Sequence, residues 1–339
     1  MSVNFKKKSS LGYKVEVLTG IRPTGNLHVA NYLGAVAPII QMQEQGLSPV
    51  VFIADLHAMT DSEPKTIKGY INGLVADYLA LGVDPQKTKI YVQSVIGEEL
   101  GLLTSLFTRH ISIAELLRVP TLKDKLKAKE RPETANTFLC LYPVLMAADI
   151  LINRSRKVPV GEDQVAHLEV TRLLAKRFNK RYGETFPLPE VLQVKSLRLL
   201  SLKGEGKMSK TNPQGALFLT DSPEVVAKKI KTAETGFAGK MNERIKSYVL
   251  IAQGLAQNKA EEQKIKKIIS QHQAGQAVMG EFKKVFTDIV QNFLKGFQVK
   301  RDKIIKDQSF INEVLKQGAK IAQENARETL GEVKKIFKI

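Results

Sequence analysis

The fold is decided by Val15-Glu-Val-Leu-Thr-Gly-Ile-Arg-Pro-Thr-Gly-Asn-Leu-His-Val-Ala-Asn-Tyr-Leu-Gly34. Its apolar beginning, Val15 to Leu18, predicts a β-strand, and Leu27 to Met42 predicts a helix that Pro38 kinks or ends early. Between them, Pro23-Thr-Gly25 predicts a tight turn, where glycine lets the backbone approach a ligand closely. The unpaired N–H groups at the start of the following helix attract anions. The stretch therefore predicts a strand–turn–helix junction that binds phosphate.

Two side chains at this junction are candidate phosphate ligands. His28 and Asn31 are three residues apart, so they share one face of the predicted helix, and both can donate hydrogen bonds to phosphate oxygens. Such a pair by itself is more typical of an ordinary helix start with a surface histidine. The whole string from Thr19 to Gly34, placed directly after a strand, is far more specific.

The first half of the chain alternates between strand-like and helix-like segments. Further strands are predicted at Pro49–Ala54 and Lys89–Gln93, with an amphipathic helix at Pro64–Leu81 between them. This order predicts a parallel sheet with helices on both faces. More helices are predicted at 98–108, 112–118, 137–152 and 164–179, whereas the charged segment 123–130 is predicted to be mobile.

The last third of the chain is predicted to be almost wholly helical. After a linker rich in turn residues at 181–206, helices are predicted at 223–232, 242–256, 260–270, 275–295, 300–307 and 311–337. The predicted fold class is therefore α/β, a Rossmann-like doubly wound parallel sheet with a C-terminal all-helical domain. The predicted divisions are a basic N-terminal tail at 1–13, a catalytic domain at 14–206, a loop and linker at 207–220, and the helical domain at 221–339.

The charge of the chain favours a polyanionic partner. Lys and Arg number 52 against 34 Asp and Glu, a net charge of +18, and residues 221–339 hold 23 basic and 14 acidic side chains. The single cysteine, Cys140, excludes an intrachain disulfide and fits a reducing compartment. No apolar run approaches the roughly 20 residues of a membrane helix, and the basic N-terminus lacks the apolar core of a secretory signal. We expect a cytoplasmic protein with no membrane association.

A second motif follows much later in the chain, Lys207-Met-Ser-Lys-Thr211, preceded by Gly204-Glu-Gly206. The glycines let the segment move, so its two ammonium groups can reach triphosphate oxygens. Charge builds on those oxygens as the bond between the α- and β-phosphates of ATP breaks, and cations there favour the transition state. A lysine-rich surface loop is commonplace by itself. Together with the first motif it predicts an enzyme that cleaves ATP at its α-phosphate.

Further strings between the two motifs are characteristic of one family. They are Tyr142-Pro-Val-Leu-Met-Ala-Ala-Asp-Ile-Leu151, Val158-Pro-Val-Gly-Glu-Asp-Gln-Val-Ala-His-Leu-Glu-Val-Thr-Arg172 and Arg177-Phe-Asn179. With them, the chain resembles the class I aminoacyl-tRNA synthetases, and among these the bacterial-type tryptophanyl-tRNA synthetases. The first motif resembles the HIGH signature of that class and the second its KMSKS loop. The resemblance covers residues 15–215 and, more loosely, the helical remainder.

The resemblance implies an ATP site. Its catalytic residues would be His28, Asn31, Lys207 and Lys210. The other nucleotide contacts that it implies are Arg22, Pro23, Thr24, Ala30, Gly161, Glu162, Asp163, Leu199, Met208, Ser209 and Thr211. Gly161, Glu162 and Asp163 would hold the ribose, and Leu199 would touch the adenine. Either Lys123 or Lys125 corresponds to a family lysine that reaches the pyrophosphate. Mg²⁺ would arrive with ATP, held by phosphates and water, with no metal ligands from the protein.

The resemblance also implies a tryptophan site. Asp149 would accept the indole N–H, Tyr142 and Gln164 would surround the ammonium group, and the pocket walls would be Met146, Val158 and Val160, with His57 nearby. The indole N–H only donates, so its partner must be an acceptor. A carboxylate on an apolar helix is costly without such a partner. An ordinary buried salt bridge is the alternative for Asp149.

Three residues depart from the family pattern. Ala30 stands where glycine is usual, and its methyl group is expected to weaken ATP binding or to shift the adenine ring. Arg22 replaces a glutamine and could pair with the substrate carboxylate or with an ATP phosphate. Thr211 replaces serine and keeps the hydroxyl group, so little change is expected.

The activity that the resemblance implies is the activation of L-tryptophan with ATP and its transfer to the 3′ end of tRNA(Trp). The basic helical domain would bind the tRNA anticodon arm, and the enzyme would be a homodimer. In this class the last helix can pack back on the catalytic domain, and the sequence leaves that open. Two alternatives remain: a tyrosine-activating relative, and a non-catalytic tRNA-binding relative in which Ala30 has abolished activity. The intact pair Lys207 and Lys210 argues against the second.

Overall fold

The centre of the fold is a parallel sheet. The structure, a computed structural model, describes residues 12–127, 135–161, 165–193, 197–235 and 239–339. Within them the sheet has five strands in the order β3-β2-β1-β4-β5, all paired in parallel. The strands are β1 Val15–Ile21, β2 Pro49–Ile53, β3 Lys89–Val92, β4 Ser155–Val160 and β5 Glu190–Gln193. The chain order reverses between β1 and β4, which is where doubly wound sheets bind ligands.

Helices cover both faces of this sheet. Those of the first half are α1 Val29–Asn31, α2 Ala37–Glu44, α3 Asp55–Ala58, α4 Pro64–Leu81, α5 Gly97–Thr108, α6 Ile113–Leu116, α7 Pro120–Lys127, α8 Thr137–Ile152 and α9 Val165–Tyr182. Those of the second half are α10 Pro223–Lys231, α11 Glu243–Leu255, α12 Lys259–Gln273, α13 Met279–Lys306 and α14 Gln308–Phe337. No helix in the described parts of the chain is long and apolar enough to cross a membrane.

The hydrophobic core lies in two layers, one on each face. Side chains of a strand alternate between faces, and on β2 Val51 and Ile53 enter one layer while Val50 and Phe52 enter the other. The first layer joins α4 to the helices of the second half, and the second layer joins α5, α8 and α9. The C-terminal helices therefore share a core with the sheet.

The last helix, α14, packs against the edge strand β3. A Cβ atom at Gly318 would lie 2.0 Å from the carbonyl oxygen of Ile90, so glycine alone permits this approach. Ile311 of α14 belongs to the first core layer and Val333 to the second, so the helix spans the edge of the sheet. Arg154, before β4, pairs with Glu332 near the end of the helix. The terminal helix thus lies against the sheet, and it covers an edge that would otherwise be open to pairing.

The first helix differs from the sequence prediction. Pro38 neither ends nor breaks the helical run, because a π-helical turn at Tyr32–Val36 separates α1 from α2. The backbone N–H of Ala37 bonds to the carbonyl of Tyr32, five residues back. This wider turn places Pro38 in the first turn of α2, where its missing N–H costs nothing.

Three other predicted elements need correction. The linker predicted at 181–206 contains the edge strand β5, whose few residues were hidden among turn formers. The charged segment from 123 is helical as far as Lys127, and 128–130 lie outside the described residues. Helices predicted at 275–295 and 300–307 are the single helix α13. Gly275 lies outside it with φ of 87°, the left-handed conformation that follows a helix end.

Candidate active site

A cavity opens where β1 and β4 diverge. Its volume is about 430 Å³. Its lining includes six residues predicted for the site, namely Arg22, His57, Tyr142, Met146, Val158 and Val160. The apolar members of this set come from α8 and β4, whereas the polar groups come from the segments that follow β1 and β2 and from α8. Such a mixture suits a ligand with one apolar and one polar end.

The first motif forms a compact cap at the start of α1. The Asn31 N–H donates to His28 Nδ1 at 3.3 Å, and the His28 N–H donates to Asn31 Oδ1 at 3.1 Å. Gly25 has a φ of 105°, which only glycine adopts readily. The cap uses one acceptor from each side chain. The Nε2–H of His28 and the amide NH₂ of Asn31 are therefore the donors left for a ligand.

His28 is neutral at physiological pH. Burial lowers its pKa to about 4, and the positive charge of Lys210 adds to the shift. Its side chain is almost fully buried, beside the edge of the Phe218 ring. Neutral histidine with Nδ1 as an acceptor carries its proton on Nε2, which can donate to a phosphate oxygen without a positive charge.

The second motif closes a hairpin. Ser201 N–H donates to Gly206 O at 3.1 Å and Met208 N–H donates to Leu199 O at 2.9 Å, with Gly204 and Gly206 in left-handed conformations. Met208 is buried and anchors the loop, whereas Lys207 is exposed. The hairpin thus presents Lys207 to solvent while its base is fixed in the core.

The second lysine of the loop contacts the first motif. Lys210 Nζ donates to Gly25 O at 2.9 Å and to Thr24 Oγ1 at 3.4 Å. Burial lowers the pKa of the Lys210 ammonium group, the carboxylate of Asp77 opposes this shift, and Arg22 adds to it. The lysine loop and the first motif, which are distant in sequence, therefore lie within hydrogen-bonding distance of each other just after β1.

Asp149 lies behind the cavity wall with no exposed surface. His57 Nε2 lies 2.8 Å from Asp149 Oδ2, and Gln93 Nε2 donates to both carboxylate oxygens at 2.8 and 2.9 Å. Burial raises the pKa of the Asp149 carboxyl, whereas the hydrogen bonds from His57 and Gln93 lower it. The His57 contact has the geometry of the ordinary buried salt bridge that is the alternative for Asp149. The bonds from His57 and Gln93 still leave acceptor capacity, because a carboxylate can accept about four hydrogen bonds.

The opposite wall holds a second polar cluster. Tyr142 Oη lies 2.8 Å from Thr121 Oγ1 and 3.3 Å from His167 Nε2. The Lys125 ammonium group lies 4.6 Å from the centre of the Tyr142 ring. Burial lowers the pKa of Lys125, and Arg22 lowers it further. Of the two candidate lysines, Lys125 lines the cavity and Lys123 is exposed.

The comparisons with known proteins agree on one family. A family described as tRNA synthetases class I (W and Y) matches residues 11–295. The chain belongs to this family. It is 35% identical to the tryptophan–tRNA ligase of Porphyromonas gingivalis over 326 residues, 95% of this chain and 98% of the relative. It is 36% identical to the corresponding ligase of Corynebacterium glutamicum over 328 residues, 94% and 92% of the two chains.

Solved structures of class I synthetases have the same fold. The tryptophanyl-tRNA synthetase of Campylobacter jejuni, solved with ADP and tryptophan, superposes with a TM-score of 0.81 at 30% identity, covering 96% of this chain and all of the other. That of Mycoplasma pneumoniae gives 0.80 at 33% identity, covering 96% and 98%. The tyrosyl-tRNA synthetase of Aeropyrum pernix, at 17% identity and a TM-score of 0.71, shares the fold alone.

Some site residues expected for a class I synthetase lie away from the cavity. Leu199 is buried in the core with its carbonyl bonded to Met208, and Ala30 packs against the same core. Pro23 lies in the turn after β1, and Gly161 follows the last residue of β4. Ser209 and Thr211 bond to each other through their hydroxyl groups at 3.0 Å. Glu162, Asp163 and Gln164 lie outside the described residues.

Sequence reasoning missed three polar members of this synthetase site. Gln93 holds Asp149, while Thr121 and His167 hold Tyr142. His167 lies in one of the quoted strings, whereas no pattern marks Gln93 beyond its position at the end of β3. That position could have indicated Gln93, because the carboxyl ends of parallel strands meet at the site. Among the described residues, no group of three or more His, Cys, Asp and Glu side chains is placed to hold a metal ion.

Proposed function

We propose that the chain is a tryptophan–tRNA ligase. It activates L-tryptophan with ATP, releasing pyrophosphate, and transfers the tryptophanyl group to the 3′ end of tRNA(Trp). The observation that carries the proposal is the bond from Lys210 Nζ to Gly25 O, because it brings the lysine loop to the first motif beside one cavity. The ligases of Porphyromonas gingivalis and Corynebacterium glutamicum support the choice of reaction.

The nucleotide phosphates bind between the two motifs. His28 Nε2 and Asn31 Nδ2 donate to phosphate oxygens from one side, and Lys207 and Lys210 neutralise them from the other. The tryptophan carboxylate attacks the α-phosphorus in line, which forms tryptophanyl-adenylate and releases pyrophosphate. The protein forms no covalent intermediate and acts by positioning groups and stabilising charge. The complex of the Campylobacter jejuni relative with ADP and tryptophan supports a nucleotide here.

Two further residues and a metal ion contribute to this nucleotide site. Lys125 reaches the pyrophosphate from the cavity wall, since its burial beside Tyr142 already holds it at the site. Arg22 lines the cavity and pairs with Asp61, which orients its guanidinium group at the entrance. Mg²⁺ accompanies ATP and is held by phosphate oxygens and water, the environment that this ion prefers.

The tryptophan side chain occupies the apolar part of the cavity. Met146, Val158 and Val160 contact the indole ring, and Tyr142 contacts the ammonium group of the amino acid. Asp149 keeps lone pairs that His57 and Gln93 leave unused, and a shift of the His57 ring lets one of them accept the indole N–H. The His57 ring lines the cavity and pairs with Asp149, so it connects this carboxylate to the ligand space.

The tRNA and a second copy of the chain are the proposed macromolecular partners. The excess of basic residues at 221–339, with exposed lysines along α12, suits the anticodon arm of tRNA(Trp). A homodimer would have exposed apolar side chains available to bury, among them those of Ile113, Leu117 and Phe138. Sedimentation velocity tests the dimer: one species at twice the chain mass is expected, and a monomer at micromolar concentration would contradict it.

Exchange of labelled pyrophosphate into ATP tests the activity. We expect exchange with L-tryptophan and none with L-tyrosine. Tyrosine-dependent exchange would favour the tyrosine-activating alternative, because a phenol can also donate to the Asp149 carboxylate. No exchange with any amino acid would favour a non-catalytic relative.

A further inference from the structure

The segment that follows the lysine loop, residues 216–221, is paired directly with the first motif. Val29 N–H donates to Leu217 O at 2.9 Å, and Leu219 N–H donates to Leu27 O at 2.9 Å. These two bonds flank His28, which forms an antiparallel bridge with Phe218. We call residues 216–221 the bridge segment. Its position decides where the backbone of His28 lies relative to the loop that carries Lys210.

One buried lysine holds the bridge segment at both ends. Lys229 Nζ, on α10, donates to Ala216 O at 2.8 Å and to Asp221 Oδ2 at 2.7 Å. The same carboxylate oxygen accepts the Phe218 N–H at 2.9 Å. The ammonium group also lies 5.1 Å from the centre of the Phe218 ring, whose neighbour is the His28 ring. A single charge thus connects the start, the middle and the end of the segment.

Stability alone does not explain why the Lys229–Asp221 ion pair is buried. The side chain of Lys229 is 9% exposed and that of Asp221 is 12% exposed. Removing both charges from water costs about as much as their attraction returns, so apolar residues could stabilise the same space equally well. An ion pair gives what apolar packing does not, which is directional bonds to one carbonyl and one carboxylate. The bridge segment is also held by α13, because Gln298 donates to Leu219 O and Asp221 O.

We propose that Lys229 is a positioning residue for the activation step, which acts through the bridge segment to hold His28 in register with the lysine loop. Lys229 is not part of the cavity lining, and its ammonium group lies against the Phe218 ring, which in turn neighbours the His28 ring. Loss of its charge frees the carbonyl of Ala216 and the carboxylate of Asp221. The bridge segment then loosens against Leu27 and Val29. The inference rests on the proposed function, because it assigns Lys229 to the ATP half of that reaction.

The test combines pyrophosphate exchange with amide hydrogen exchange in Lys229→Met. We expect kcat for tryptophan-dependent pyrophosphate exchange to fall about tenfold or more and KM for ATP to rise, with KM for tryptophan within about twofold of wild type. The amides of Val29 and Leu219 should lose protection, while those of β2 keep it. Lys229→Arg should recover most of the rate, because it restores the charge and the donors.

The matched control is Arg154→Met, which breaks another ion pair whose basic side chain is also 9% exposed, far from the loop. It should lower the unfolding temperature without changing kcat or the protection of Val29. If Lys229→Met is unstable, Asp221→Asn removes the same attraction and keeps an acceptor for the Phe218 N–H. Equal kinetics for the Lys229 and Arg154 variants, or unchanged protection of Val29 and Leu219, would overturn the inference. Absence of exchange in wild type would refute the proposed function, and the protection of Val29 would still decide whether Lys229 holds the segment.

Discussion

The two lysines of the loop have different surroundings. Lys207 is exposed, whereas Lys210 is bonded to Gly25 and Thr24 of the turn. Phosphate charge increases only during reaction, so both ammonium groups are expected to favour the transition state more than the ground state. The Lys210 group starts from a position beside the proposed phosphates, and the Lys207 group must move to reach them.

Replacing either lysine should affect rate more than affinity. In Lys207→Ala and Lys210→Ala, kcat for exchange should fall roughly 10²-fold, with the dissociation constant for tryptophan within about twofold of wild type. Pyrophosphate exchange measures kcat, and a tryptophan-binding titration measures the dissociation constant. Lys203→Ala, an exposed lysine of the same hairpin, is the matched control and should keep full activity. Equal losses of rate and tryptophan affinity would count against a role in the transition state.

Asp149→Asn should weaken tryptophan binding. A neutral amide is a poorer acceptor than a carboxylate, and charged hydrogen bonds contribute about 1.5–3 kcal/mol, which is about 10- to 150-fold in affinity. The chain contains no tryptophan, so the fluorescence anisotropy of the ligand reports binding directly. Asp77→Asn is the control, because Asp77 is a buried partner of Arg301 away from the cavity. Equal affinities of wild type and Asp149→Asn would leave Asp149 as a structural residue only.

His28 should make stability depend on pH. Its folded pKa of about 4 lies below the ordinary value of 6.5, so the unfolded chain binds the proton more readily between these values. The contribution of neutral His28 is complete above pH 6.5 and is lost as pH falls towards 4, by about 3 kcal/mol. His28→Asn keeps an N-cap acceptor without a titrating ring. Urea unfolding at pH 7 and pH 4.5 should show a smaller loss in the variant, and equal losses would contradict the neutral buried state.

At the scale of the elements, α14 approaches the sheet closely at Gly318. Gly318→Ala places a methyl group against the Ile90 carbonyl, a backbone atom that cannot move aside, and should destabilise the protein by about 2–4 kcal/mol. Gly331→Ala, on the same helix with open space around it, should be neutral or stabilising by up to about 1 kcal/mol. Denaturant unfolding of both variants measures the difference. Similar free energies of unfolding would mean that α14 is not held against β3 in solution.

The elements that the sequence predicted best have strong local signals. Pro64–Leu81 and Thr137–Ile152 coincide with α4 and α8, because proline or asparagine marks their starts and apolar residues fill them. The edge strand β5 escaped prediction, since its four residues are exposed or half-buried and do not alternate between two faces. The π-helical turn before Pro38 depends on how the helix crosses the core, and no local pattern encodes it.

The site residues also divide into those with a local sequence signal and those that depend on packing. His28, Asn31 and the lysine loop are marked by contiguous strings, so the sequence indicated them. The bond from Lys210 to Gly25 and the pairing of the bridge segment with Leu27 and Val29 join segments that are distant in sequence, and only packing brings them together. Gln93 and Thr121 are single polar residues whose roles depend on the side chains they contact.

For the whole molecule, charge reversal tests where tRNA binds. Changing the exposed lysines Lys264, Lys266 and Lys267 of α12 to Glu should weaken tRNA binding and flatten its dependence on salt, because fewer phosphates are neutralised. Amino-acid-dependent exchange should be unchanged. The matched control reverses three exposed lysines of α14, Lys316, Lys320 and Lys334. If filter binding gives the same salt slope for the α12 variant as for wild type, the tRNA lies on another surface.

The central claim is that the first motif and the lysine loop bind one nucleotide between them. A crystal structure of the protein with tryptophan and a non-hydrolysable ATP analogue tests it most directly. We predict phosphate oxygens of a single nucleotide within about 3.5 Å of His28 Nε2 or Asn31 Nδ2 and of Lys207 or Lys210 Nζ. A nucleotide bound to only one of these segments, or away from both, would contradict the account.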